Sequence, residues 1–164
     1  MPTPIEPRAV DHNFEEYNQV YIQASKPVSL YVAVLLTMFG LMALTWAIPF
    51  PHIAFLGRYN GYLNWASFLI AGIIYYHLKL SPMVSYAILF LLFGFSYGII
   101  QLEQWEKAGG PHLWLLSLII LLIGLAGQIV AFKASATRNN YFKLLTQSST
   151  WLLVTLLKII KIKY

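Results

Sequence analysis

Four long stretches without a charged residue constrain this chain more than any other feature. Each is close to the ~20 residues that a helix needs to cross about 30 Å of hydrocarbon. They are apolar on all sides rather than in alternation, which favours helices over the strands of a barrel. We therefore predict an all-α fold, a polytopic membrane bundle of four transmembrane helices. The stretches are residues 28–48, 62–78, 80–102 and 112–132.

Charge content supports the same class of protein. Only 10% of the 164 residues are charged, too few to cover a water-soluble domain without large apolar patches. The chain has no cysteine, which excludes a disulfide, a thiolate metal site and a cysteine nucleophile. Its basic residues do not cluster within a polar domain, so we predict no nucleic-acid partner.

Proline and glycine mark the gaps between the predicted helices. Pro-Phe-Pro at 49–51 ends the first helix, because proline lacks a backbone donor and restrains the residue before it. Pro82 follows Ser81 and suits a first helical turn, which predicts a tight hairpin between the second and third helices. Glycine-rich segments at 57–61 and 109–111 predict the two remaining loops.

Lysine and arginine predict the orientation. With four spans, nine of the eleven basic residues gather on one side, and only Arg58 and Lys107 lie on the other. Because cytoplasmic loops carry the positive excess, we predict an integral membrane protein with both termini in the cytoplasm. A bacterial inner membrane and an endoplasmic reticulum both fit this bias. An interfacial aromatic belt is predicted from Trp46, Trp65, Trp105 and Trp114.

The two ends of the chain flank the bundle within one domain. Residues 1–27 are predicted to form a polar cytoplasmic segment, and 28–132 the transmembrane domain. Residues 133–164 hold a basic linker and a helix with 14 uncharged residues between Lys143 and Lys158, too few for a comfortable crossing. We predict an amphipathic helix on the cytoplasmic face, with a fifth span or a re-entrant hairpin as the alternatives. Its polar stripe contains Lys143, Gln147, Thr150, Lys158 and Lys161.

Polar groups at membrane depth are the candidates for function. His77 and Gln128 lie near the cytoplasmic ends of their helices and are predicted to form a polar pocket, and Gln128 is expected to bond a neighbouring helix. Glu103 and Lys107, at i and i+4, predict an exposed ion pair. No two histidines are spaced i, i+3 or i, i+4, which argues against a local metal-ligand pair. The histidines are His12, His52, His77 and His112.

No motif of covalent or nucleotide chemistry is visible, whether a Ser/His/Asp arrangement, a phosphate-binding loop or a dinucleotide fingerprint. The residues themselves therefore assign no catalytic side chain. Gly94 and Gly98 form a small-xxx-small pair in the third span, which lets helix backbones approach closely. This pair predicts either packing within the bundle or a homo-oligomer.

A series of short motifs runs along nearly the whole chain. They are Phe-Glu-Glu-Tyr at 14–17, Trp-Ala-Ile-Pro-Phe-Pro at 46–51, Leu-Asn-Trp-Ala at 63–66, Tyr-Tyr-His-Leu-Lys-Leu-Ser-Pro at 75–82, Leu-Trp-Leu-Leu-Ser-Leu-Ile-Ile at 113–120, Gly-Gln at 127–128 and the tail at 151–164. In order and spacing they resemble the 2-hydroxy-fatty-acid dioxygenases, the Mpo-like membrane proteins of fatty-acid α-oxidation.

The resemblance implies a helical membrane bundle and an Fe(II)-dependent enzyme that shortens 2-hydroxy fatty acids by one carbon. The histidines of the family signature lie on the first and fourth helices. Their positions here are Tyr21, Lys26, Leu30 and Phe132, none of them a histidine. Leucine and phenylalanine have no lone pair for iron, and non-haem Fe(II) needs imidazole and carboxylate-type ligands. We therefore predict a catalytically silent relative without a cofactor.

Three functions stand as hypotheses. The first is a lipid-binding or structural membrane protein, with membrane lipid and a fatty acyl chain as partners. The second is an active Fe(II)-dependent dioxygenase with a relocated site, built from His77 or His12 and a carboxylate of the tail. The third is a small membrane transporter, although the sequence lacks an intramembrane charge and a pair of interrupted half-helices.

Overall fold

The fold is all-helical, as predicted. The structure is a computed structural model, which describes residues 9–23, 27–55, 57–58, 63–134 and 141–162. These residues form six helices and no strand. The helices are α1 (Ala9–Gln23), α2 (Pro27–Ala47), α3 (Trp65–Leu80), α4 (Pro82–Lys107), α5 (Leu113–Ala134) and α6 (Tyr141–Ile159).

Three of the described helices, not four, are long and apolar enough to cross a membrane. They are α2, α4 and α5. The fourth expected span corresponds to α3, which has only 16 residues and is therefore about 24 Å long. It begins at Trp65 because Asn64 caps it: the Asn64 side chain accepts a hydrogen bond from the Ser67 backbone N–H at 3.0 Å. The predicted start at 62 is thus corrected to 65.

Helices α2 and α5 form an antiparallel pair in very close contact. A Cβ atom added at Gly124 would lie 2.5 Å from the Thr37 backbone nitrogen and 2.9 Å from the Ala33 carbonyl oxygen. A Cβ atom at Gly40 would lie 2.6 Å from the Leu121 backbone nitrogen. The seam between the two helices therefore has room for glycine alone at these positions.

The hairpin between α3 and α4 is confirmed. Ser81 separates the two helices and caps both of them, with its N–H donating to the His77 carbonyl at 2.9 Å. Pro82 occupies the first turn of α4, where its missing N–H costs no helical bond. The Ser85 hydroxyl then bonds the Ile74 carbonyl across the hairpin at 3.4 Å.

The bundle has two unlike ends. At the first, which we call the closed end, α2 and α4 begin and α3 and α5 end, and α1 and α6 pack over them. At the second, the open end, α2 and α4 end and α3 and α5 begin. All four tryptophans predicted for the aromatic belt lie at the open end. There an open cleft of about 360 Å³ is lined in part by Trp46, Phe50, Trp114, Glu103 and Glu106.

The N-terminal segment, predicted only as polar, contains the amphipathic helix α1. Its apolar face is made by Val10, Phe14 and Tyr17, which are 0%, 7% and 0% exposed. Their spacing of four and three residues follows one side of a helix. This face packs against α6, so α1 belongs to the core of the closed end.

Helix α6 confirms a helix in the tail but corrects the predicted water-facing stripe. The middle of that stripe is buried, with Gln147, Thr150 and Val154 at 2%, 0% and 0% exposure. Gln147 bonds Asn13 and Glu16 of α1, and α6 also contacts α2, α4 and α5, so the helix is packed within the bundle. Among the side chains of the stripe that the structure describes, Lys158 and Lys161 alone are exposed.

Candidate functional site

A buried chain of polar side chains links three helices at the closed end. The Tyr17 hydroxyl of α1 donates to Gln128 Oε1 of α5 at 3.2 Å. Gln128 Nε2 donates to Thr37 Oγ1 of α2 at 2.7 Å, and Thr37 donates in turn to the Ala33 carbonyl at 2.8 Å. Tyr17 and Gln128 are both 0% exposed. The expectation that Gln128 bonds a neighbouring helix is confirmed.

Burial also determines the protonation state of the Tyr17 phenol. Removal from water raises the pKa of Tyr17 above its ordinary value of 10.0, because the charged phenolate is disfavoured in an apolar environment. The phenol therefore keeps its proton and serves as a hydrogen-bond donor to Gln128. At neutral pH it is neither a base nor a nucleophile.

Aromatic rings surround this polar chain. Trp151 of α6 lies between Tyr17 and Tyr31, with ring centroids 5.0 Å and 4.8 Å away. The Lys158 ammonium sits 3.5 Å from the centre of the Phe14 ring, a cation–π contact between α6 and α1. These rings fill the space between α1, α2 and α6, which makes the closed end a packed layer.

A second polar cluster joins α1 to α6. Gln147 Nε2 donates to Glu16 Oε2 at 2.7 Å and to Asn13 Oδ1 at 3.2 Å. The exposed His12 ring lies 3.7 Å from the same Glu16 carboxylate. Among the described residues the Gln147 Oε1 and the Thr150 hydroxyl have no hydrogen-bond partner. Buried amides and hydroxyls normally have such a partner, so the Gln147 carbonyl oxygen and the Thr150 hydroxyl could each form a further hydrogen bond.

His77 is buried at the end of α3 and contacts α6. Its Nδ1 lies 2.8 Å from the Ile73 carbonyl oxygen, and its Nε2 lies 3.3 Å from the Ser149 hydroxyl. Because a carbonyl only accepts, Nδ1 carries the proton and Nε2 keeps a lone pair in the neutral ring. No hydrogen bond between described residues joins His77 to Gln128. The two members of the predicted pocket thus lie in separate polar clusters, both at the closed end.

The four positions that the resemblance assigns to iron ligands are only partly described. Leu30 lies in the first turn of α2 and is 1% exposed within the apolar core. Tyr21 belongs to α1 and Phe132 to α5, but their side chains lie outside the described part of the structure, as does Lys26 altogether. The one position whose side chain is described is therefore filled by a packed apolar group.

The remaining candidates lie at the open end or within α4. Glu103 and Lys107 form the predicted ion pair at 2.7 Å. His112 Nδ1 lies 2.9 Å from Glu106 Oε1, while His52 is exposed. The two glycines of α4 have different surroundings. A Cβ atom at Gly98 would lie 3.2 Å from the Phe39 ring, whereas one at Gly94 would meet nothing within 4 Å.

The polar side chains of the closed end mainly hydrogen-bond one another. Among the described residues no group of three His, Cys, Asp or Glu side chains could hold a metal ion. These hydrogen bonds join α1 to α5 and α6, and α5 to α2.

Several residues of this layer were not predicted from the sequence. Val10, Phe14 and Tyr17 carry a recognisable signal, a spacing of four and three residues in an otherwise polar segment. Asn13 and Glu16, which bind Gln147, carry none, because their partner lies more than a hundred residues away along the chain.

No family model, curated protein or solved structure matches this chain. The likeness to 2-hydroxy-fatty-acid dioxygenases stays a prediction from the residues.

Proposed function

We propose that this chain is a four-span membrane protein whose closed end faces the cytoplasm. Tyr31 near the start of α2 contacts Trp151 of α6, with ring centroids 4.8 Å apart. His77, just before the start of α4, contacts Ser149 of α6 at 3.3 Å, which supports α2 and α4 starting at the same end and running in the same direction. The chain must then return from the open end to the closed end between them, and α3 is the segment that does so. A thinned bilayer accommodates its shorter length.

Charge and aromatic placement support the orientation. Nine of the eleven basic residues are Lys79, in the last turn of α3, or belong to the parts of the sequence before α2 and after Phe132, which adjoin the closed end. Cytoplasmic segments carry such an excess. The tryptophans at the open end would lie at the opposite interface, where their amphipathic rings are favoured.

Within this arrangement we propose a structural or lipid-binding role, as a non-catalytic relative of the Mpo-like family. One observation carries this proposal: Leu30, at a position where the family has an iron ligand, is a buried aliphatic side chain. The neighbouring Tyr17, Gln128 and Thr37 bond one another. Fatty acyl chains of the bilayer are the partners that fit the apolar outer surface of such a bundle.

The absence of native cysteine makes the topology directly testable. Single-cysteine variants Glu15→Cys, on the exposed side of α1, and Phe55→Cys, 94% exposed at the open end, would be labelled in sealed vesicles with a membrane-impermeant maleimide. We expect Glu15→Cys to react only from the cytoplasmic side and Phe55→Cys only from the other. Labelling of both from one side would contradict the four-span arrangement.

The proposed lack of catalysis is tested on the same purified protein. We expect no stoichiometric iron by elemental analysis, and no chain-shortened product from a 2-hydroxy fatty acid with added Fe(II) and oxygen. Turnover dependent on Fe(II) would overturn the non-catalytic role.

One observation favours the dioxygenase as a second candidate. His77 directs Nδ1–H at a backbone carbonyl, which is the usual orientation of a metal-ligating histidine. A metal would take the place of the Ser149 hydroxyl at the Nε2 lone pair. This alternative predicts bound iron that His77→Gln removes. The matched control is His52→Gln, which changes an exposed histidine at the open end.

A further inference from the structure

The end of α6 forms a turn that exposes isoleucine and lysine together. We call this segment, residues 157–162, the C-terminal turn. The Ile162 N–H donates to the Leu157 carbonyl at 2.9 Å, and the Lys161 N–H donates to the Lys158 carbonyl at 3.1 Å. With Lys161 at a φ of 60°, these bonds form a Schellman motif.

The residue at the left-handed position of this turn is unusual. The left-handed position of a Schellman motif normally holds glycine, because a side chain there is strained. Here that position holds Lys161, whose side chain is exposed. A residue held in a disfavoured conformation suggests that its side chain has a functional role. Lysine differs from glycine here in carrying a positive charge, so we expect the role to depend on that charge.

The apolar side chains of the turn are as exposed as its lysine. Ile159, Ile160 and Ile162 are 69%, 64% and 39% exposed, whereas residues 150–154 in the middle of α6 are all buried. Exposure of these three aliphatic side chains to water is unfavourable. They match the boundary of a bilayer, where apolar side chains enter the acyl region and lysines reach the headgroups.

We infer that the C-terminal turn is a membrane-interface anchor that binds anionic phospholipid headgroups of the leaflet around the closed end. The isoleucines insert among the acyl chains, and Lys161 pairs with headgroup phosphates. Charge complementarity selects this occupant, because the turn is cationic and the cytoplasmic leaflet carries the negative lipid. The inference rests on the four-span placement proposed above and adds a lipid class to it.

The experiment uses the full chain with a fluorescent reporter. An environment-sensitive fluorophore on Ile160→Cys would be measured in lipid nanodiscs of neutral phosphatidylcholine, and then with increasing anionic phosphatidylglycerol. We expect emission to shift to the blue as the anionic lipid is added and to return in high salt. In Lys161→Gln the anionic lipid needed for half of the shift should rise about five-fold, the effect of one basic side chain near such a surface.

Two variants serve as controls for this response. Lys161→Arg keeps the charge and should keep the shift, while Lys107→Gln removes a charge at the open end and should leave it unchanged. The inference is overturned if the reporter is equally water-exposed or equally buried in both bilayers, or if Lys161→Gln responds like the parent. Failure of the four-span placement would appear separately, as labelling of Ile160→Cys from the side opposite the cytoplasm.

Discussion

The two ends of this bundle hold themselves together in different ways. At the closed end, hydrogen bonds between helices join residues up to 134 positions apart, such as Asn13 with Gln147 and His77 with Ser149. At the open end, the Glu103–Lys107, Glu106–His112 and Asn64–Ser67 pairs join residues only three to six positions apart. The closed end is buried, and the open end is in part exposed.

This difference teaches where stability and specificity reside. A buried bond between distant segments forms only in the complete fold, and losing one partner leaves the other desolvated. An exposed pair on one helix forms early and exchanges readily with water. We therefore expect substitutions at the closed end to be costly and those at the open end to be mild. Four predictions test this expectation, in order of decreasing effect.

The largest effect is expected at the seam under the closed end. Gly124→Ala places a methyl group against the α2 backbone and should lower the free energy of unfolding by about 2–3 kcal/mol. The measurement is denaturation in mixed detergent micelles followed by circular dichroism. Gly94→Ala is the control, since its methyl group meets nothing and alanine favours the helix by about 0.5–1 kcal/mol. Equal effects of the two variants would contradict the close seam.

Removing the buried amide should have the next largest effect. Gln128→Leu leaves the Tyr17 hydroxyl without its acceptor and should cost about 2 kcal/mol of unfolding free energy, measured in the same titration. The same substitution at the exposed Gln101 should be neutral, because that amide bonds no distant helix. A neutral Gln128→Leu would show that the chain of bonds does not stabilise the closed end.

Alkaline pH should weaken the closed end through Tyr17. Its pKa is raised in the folded protein, so the folded state favours the neutral phenol. Stability is therefore complete below pH 10 and is lost above it, where the unfolded chain ionises first, by up to about 1.4 kcal/mol per pH unit. Thermal unfolding between pH 8 and about 11 should show a shallower decline for Tyr17→Phe. Tyr86→Phe, which changes a tyrosine 60% exposed, should follow the parent.

The smallest effect is expected at the open end. Lys107→Gln removes the ion pair with Glu103, whose partners are 71% and 35% exposed. The change in unfolding free energy should be below about 1 kcal/mol and should vanish in high salt. A larger, salt-independent loss would mean that the open end is as tightly coupled as the closed end.

The sequence predicts local features well, because their signals are local. Proline at 49–51 ends α2 at the open end, Ser81 and Pro82 form the hairpin at the closed end, and Glu103 pairs with Lys107 one turn away. The sequence predicts contacts between distant helices poorly. Gln147 and Thr150 match a water-facing stripe, yet both are buried, and Gln147 bonds Glu16 of α1. Nothing within a helix indicates that another segment will cover it.

The seam between α2 and α5 has a consequence for biosynthesis. Thr37 of α2 and Gly124 of α5, which meet at the seam, are 87 positions apart along the chain, so at roughly 5–20 residues per second a ribosome needs about 4–17 s to add the second after the first. During that interval the side of α2 around Gly40 that packs against α5 is uncovered, while the α3–α4 hairpin can already form. Packing of α2, the first apolar helix, is therefore completed only when the last apolar helix, α5, has been made.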